Sequence, residues 1–77
     1  MPDLSQLRAE IDQIDAQLLT LIRQRAQKSQ EIGDYKRTSG QQIQDPSRES
    51  EILAKCQTPG EEKIYKSILE NSRNLQR

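Results

Sequence analysis

The sequence predicts an all-α fold of one long and two short helices, on three observations. Apolar residues step by three and four from Leu4 through Leu7, Ile11, Ile14, Leu18, Leu21 and Ile22, the spacing of one helical face. Two later segments, Asp45-Pro46 and Thr58-Pro59-Gly60-Glu61, carry helix-start signals. Valine is absent, and no stretch alternates apolar with polar residues as a half-buried strand does.

The first helix is expected over Leu4–Lys36. Asp3 stands at its N-cap with Gln6 placed to complete a capping box, and no proline interrupts the register as it runs on through Arg25, Ser29 and Ile32. Such a helix is about 50 Å long at 1.5 Å per residue, more than the rest of the chain can cover, so its stripe calls for a helix from another protomer. Arg37 to Asp45 reads as a loop, a candidate lid with Gly33 and Gly40 near its ends. Asp45-Pro46 then opens a short helix to about Gln57, with Ile52, Leu53 and Cys56 turned inward. Thr58-Pro59 opens the third, whose inward residues are Ile64, Ile68, Leu69 and Leu75.

Composition bounds what such a chain does. Its 77 residues form a single domain, residues 1–77; only 31% are hydrophobic and 3% aromatic, so the core is too small to stand without help. Twelve basic and twelve acidic residues cancel to a formal charge of zero, which argues against nucleic acid or a membrane surface as partner. There is no apolar run long enough to span a bilayer and no signal-peptide pattern at Met1-Pro2-Asp3-Leu4. The lone Cys56 and the absence of histidine disfavour both a disulfide and a metal site. The expected compartment is the cytoplasm.

The inward stripes hold charges where a core needs apolar groups. Arg25 lies three residues after Ile22, Lys36 four after Ile32, and Arg8 borders the same face between Leu4 and Ile11. Arg48 and Glu49 stand four before Ile52 and Leu53, and Ser72 and Gln76 follow Ile68 by four and eight. An unpaired buried cation costs on the order of several kcal/mol, and Glu49 offsets only one. Two accounts are open. Long basic side chains snorkel from the edge of an apolar stripe or pair across a dimer. Alternatively, the surplus cations bind a small anion, a dicarboxylate or phosphate, inside the bundle.

Over nearly its whole length the chain also resembles the all-α (AroQ-class) chorismate mutases. The resemblance rests on Leu7-Arg8-Ala9-Glu10-Ile11-Asp12-Gln13-Ile14-Asp15, Leu18-Leu19, Leu21-Ile22, Arg25-Ala26, Glu31-Ile32-Gly33, Lys36, Asp45-Pro46, Arg48-Glu49 and Ser72-Arg73-Asn74-Leu75-Gln76. It implies an intertwined homodimer in which each long helix spans both subunits. The reaction implied is the Claisen rearrangement of chorismate to prephenate, toward Phe and Tyr, with no cofactor and no metal. Residue by residue, Arg8 from the partner protomer and Arg25 resemble the arginines that clamp the two carboxylates. Lys36 resembles the lysine on the ether oxygen and a carboxylate, and Gln76 the second donor to that oxygen. The backbone of Asp45 and the side chain of Glu49 match groups that hold the ring hydroxyl, Arg48 a supporting arginine, and Ser72 a carboxylate donor. Lys36, Gln76 and Arg25 are thus the expected catalytic residues.

Two departures stand out. Lys28, Ser29 and Gln30 are more polar than the family's usual mid-helix run, which is expected to loosen the dimer core. Gln76 stands one residue from the end of the sequence, so the turn that carries it is expected to fray. Two rival readings share these residues: an isochorismate-pyruvate lyase on the same scaffold, and a non-catalytic helical dimerisation or regulatory module. Cys56 reads as a small buried hydrophobe, since no histidine exists to activate it.

Overall fold

A computed structural model of the protein describes residues 3–40 and 45–77. The described chain is all-α, in the order α1 (Leu4–Ser39), α2 (Pro46–Ala54) and α3 (Pro59–Gln76). It is elongated, 56 × 23 × 14 Å, because α1 alone runs for 36 residues.

Each helix starts where its cap dictates. An Asp3 carboxylate oxygen accepts from the Gln6 amide at 2.8 Å, Asp45 does the same for Arg48 at 3.1 Å, and Thr58 Oγ1 for Glu61 at 3.1 Å. Pro46 and Pro59 follow the latter two caps, where a missing N–H costs nothing.

The ends differ from expectation in two places. Helix α1 continues three residues beyond Lys36, absorbing Arg37, Thr38 and Ser39 from the expected loop. Arg37 pairs with Asp34 one turn back, and Thr38 Oγ1 donates to the Asp34 carbonyl at 3.0 Å. The helix stops at Gly40, whose φ of 75° is left-handed and whose N–H returns to the Lys36 carbonyl. Residues 41–44, the remainder of the expected lid before Asp45, lie outside the described residues. Helix α2 ends at Ala54 instead of Gln57, its last turn tightened into bonds from Lys55 N to Ile52 O and Cys56 N to Leu53 O, both 3.1 Å. Thr58, which precedes Pro59, is extended, so the chain has left the helix before it.

Helix α3 packs against both α1 and α2. Its seat on α1 is a row of small residues, Ala26, Ser29 and Gly33, spaced by three and four. Ser29 is 4% exposed there, facing the side of α3 that buries Leu69 and Ser72. Leu69 is the one buried hydrophobic residue among those described. The apolar stripe of α1, by contrast, lies open: Leu4 is 62% exposed, Ile11 and Ile14 are each 55%, and Leu18 is 49%. Ile64, expected to face inward, is equally uncovered at 62%. Among the described residues, no second apolar face covers this stripe. No described helix is long and apolar enough to cross a membrane.

Candidate active site

The C-terminal half of α1, the start of α2 and the end of α3 converge on one cleft of about 160 Å³. Ile32, Ile52 and Leu69 contribute its apolar lining, each at a position that helical periodicity turns inward. Onto that lining project Arg25 and Lys36 from α1, Asp45 and Arg48-Glu49 from α2, and Arg73 and Gln76 from α3. Six residues singled out in the sequence (Arg25, Lys36, Asp45, Arg48, Glu49 and Gln76) therefore line a single cavity. A wider opening of about 410 Å³ lies beside it and shares Arg25, Arg48 and Ile52.

Two cross-helix bonds join α1 to α3. Arg25 Nη1 donates to Ser72 Oγ, which places Ser72, 7% exposed, behind the guanidinium. Lys36 Nζ donates to Gln76 Oε1 at 3.2 Å. Residues 36 and 76, forty positions apart in sequence, are thus neighbours because α3 lies flat on the small-residue face of α1. The pairing leaves the amide nitrogen of Gln76 to donate elsewhere.

Glu49 does not face Arg48 as its ion-pair partner. Its Oε1 accepts from Arg73 Nη1 at 2.6 Å, with both side chains about a quarter exposed. A charge-assisted bond this short, largely shielded from water, fixes the carboxylate more firmly than a surface pair does. Sequence reading gave Arg73 no role, although it lies four residues after Leu69, a spacing that turns it toward the same face. Asp45 engages one carboxylate oxygen in the α2 cap, accepting from the Arg48 amide. The cleft is cationic on balance, with four basic side chains against two carboxylates, one of them held by Arg73. This is the local asymmetry that the overall charge of zero conceals.

Arg8 is absent from the cleft. It lies on the exposed part of α1, 17 residues before Arg25, and hence about 25 Å along the helix axis. Cys56 borders the wider opening. Partial burial, together with the charges of Glu61 and Glu62, pushes its thiol above the ordinary cysteine range and disfavours the reactive thiolate.

Comparison with known proteins places this arrangement. Residues 7–77 match the chorismate mutase type II family. The chain belongs to that family. Among its relatives, it is 42% identical over 55 residues to the bifunctional chorismate mutase/prephenate dehydratase of Aquifex aeolicus, a match covering 71% of this chain and 15% of that protein. It is 38% identical over 53 residues to the intracellular chorismate mutase of Mycobacterium tuberculosis, covering 69% of this chain and 50% of that one. The chain thus spans half or less of the length of these curated relatives. In solved structures, a conserved hypothetical protein from Pyrococcus furiosus superposes with a TM-score of 0.88 at 40% identity, covering 96% of this chain and 95% of that one. Family membership and the all-α architecture agree with the resemblance carried by the sequence motifs.

Proposed function

We propose that the protein is a chorismate mutase that rearranges chorismate to prephenate in the cleft between α1, α2 and α3. The observation that carries this reading is the Lys36–Gln76 pair at 3.2 Å, on the wall of a cationic cleft that also holds Arg25 and Arg48. Chorismate is a dicarboxylate whose ether bond breaks as a carbon–carbon bond forms elsewhere in the same molecule. No proton is transferred and no nucleophile is required, so the residues have two tasks. Arg25, seated on Ser72, engages a carboxylate and holds the enolpyruvyl arm over the ring, converting a floppy substrate into one poised to react. The Lys36 ammonium and the Gln76 amide stabilise the negative charge that develops on the ether oxygen. Glu49, steadied by Arg73, and the Asp45 main chain hold the ring hydroxyl, with Arg48 beside them.

The site is completed by a second copy of the chain. The open stripe on α1 supports this: covering half-exposed Leu and Ile side chains contributes roughly 1 kcal/mol apiece, and the stripe repeats along the helix on one face. Arg8 then reaches the cleft of the partner protomer, since its own cleft lies about 25 Å away along α1. The assembly is an intertwined homodimer with two equivalent sites, each built from both chains, and the cytoplasm is its proposed compartment.

Incubating the protein with chorismate and identifying the product tests the reading directly. Prephenate is expected. Salicylate and pyruvate from isochorismate, with chorismate untouched, would instead assign the lyase reaction to this scaffold. No turnover of either, with no rise in Tm on adding a dicarboxylate transition-state analogue, would leave a dimerisation module.

A further inference from the structure

Residue 76 is held at three points by a single turn of α1, and one of those points belongs to a residue with no place in the chemistry above. Lys36 Nζ takes the side-chain Oε1 of Gln76 at 3.2 Å. The bare Cα of Gly33 admits the Gln76 main chain, since a Cβ built there would stand 2.7 Å from both Gln76 Cα and Gln76 O. Arg37 Nη1 donates to the Gln76 carbonyl oxygen at 2.8 Å. The guanidinium is itself aimed by Asp34, whose Oδ1 accepts from Arg37 Nη2.

We propose that Arg37 is a positioning residue that sets where the Gln76 amide stands in the cleft, by clamping the carbonyl of the same residue. The inference rests on the reading of Gln76 as a donor to the ether oxygen. Helix α3 is described to Gln76, and the carbonyl of that residue is taken by the Arg37 guanidinium. Arg37 supplies a charged donor at that end, where the helix dipole also favours a cation. With its carbonyl and Cα fixed, the Gln76 side chain has only its own torsions left to vary. A fraying turn would swing the amide by an ångström or more, enough to cost as much as about a hundredfold in rate for a preorganised group. The Arg37 side chain is about half exposed, so its truncation opens no buried cavity.

The test is an Arg37→Ala substitution in the full chain, measured alone and combined with Gln76→Ala. With chorismate as substrate, Arg37→Ala is expected to lower kcat about tenfold, with KM within twofold of the parent and Tm little changed. Arg37→Lys, which still offers a donor, is expected to recover most of the loss. In the Gln76→Ala background, which keeps the carbonyl but removes the amide, Arg37→Ala is expected to lower kcat no further. An equal loss in both backgrounds overturns the proposal, as does an unchanged kcat alongside faster amide exchange in the last turn of α3, which makes Arg37 a cap and nothing more. If the unsubstituted protein leaves chorismate untouched, the mutase reading is what fails. Amide exchange in that turn still reports on Arg37, and unchanged exchange on Arg37→Ala then overturns the clamp as well.

Discussion

Gly33 of α1 and Gln76 of α3 meet backbone to side-chain void: a methyl group at position 33 would lie 2.7 Å from the Gln76 Cα and carbonyl oxygen. The helical backbone of Gly33 needs no special conformation, since Gly40 carries the only positive φ among the described residues. What requires glycine at 33 is the approach of a second helix. Two effects therefore oppose each other in Gly33→Ala. Alanine stiffens the helix by about 0.5–1 kcal/mol, while overpacking against a neighbouring main chain costs about 1–3 kcal/mol. The second wins, and urea titration is expected to show a net loss of roughly 1 kcal/mol. Because the displaced atoms belong to Gln76, kcat is expected to fall with stability. A variant more stable than the parent with full kcat would mean that the two helices have room to separate without cost.

Lys36→Ala removes a fixed ammonium from the wall of the cleft. If the charge is needed mainly as the ether oxygen becomes negative, the loss falls on the transition state. Deleting one such donor costs roughly 3 kcal/mol, about a hundredfold. Steady-state kinetics are expected to show that loss in kcat, with KM changed much less. A change confined to KM would reduce Lys36 to a carboxylate anchor.

Gln76→Glu converts an amide donor into a group that donates only when protonated. As a carboxylate it presents negative charge to an oxygen that is itself becoming negative. Activity is therefore expected to be low at neutral pH and to rise as pH falls and the carboxyl takes up a proton, whereas the parent lacks this acid-side gain. A pH–rate profile identical to the parent's would remove Gln76 from the ether oxygen.

How far the sequence alone reached depends on which kind of information each feature carries. Helix starts were legible because caps are local: Asp3, Asp45 and Thr58 each act within three residues of themselves. The helix ends were less so. The extension of α1 to Ser39 rests on Gly40 adopting a left-handed φ and on Arg37 meeting Asp34, and a glycine among polar residues reads equally well as the middle of a loop. The cleft was largely legible because five of the polar residues that line it (Arg25, Lys36, Arg48, Glu49 and Gln76) interrupt apolar stripes at helical spacing, a violation visible in one dimension, whereas Asp45 was reached only through the resemblance. The choice of partners inside it was not. Glu49 reads as the neighbour of Arg48, yet it binds Arg73, 24 residues away on another helix. Which cation a carboxylate meets is decided by how α2 and α3 cross, and no periodicity records that. The contacts of Gly33 and Arg37 with residue 76 were hidden for the same reason, since that residue lies about forty positions away.

The separation of Arg8 from its own cleft yields the sharpest test of the assembly. In the proposed dimer, every site draws Arg8 from one chain and Lys36 from the other. Arg8→Ala and Lys36→Ala homodimers are each expected to be nearly inactive, since every site in them lacks one group. A mixed dimer differs: one site inherits both defects, while the other combines the intact Arg8 of the Lys36→Ala chain with the intact Lys36 of the Arg8→Ala chain. Random re-pairing of equal amounts makes half the dimers mixed, with one good site in two, so about a quarter of parental activity is expected to return. Denaturing the two variants together, refolding them and assaying prephenate formation measures it. A mixture no more active than the two separate variants would mean that each chain builds its site without its partner's Arg8.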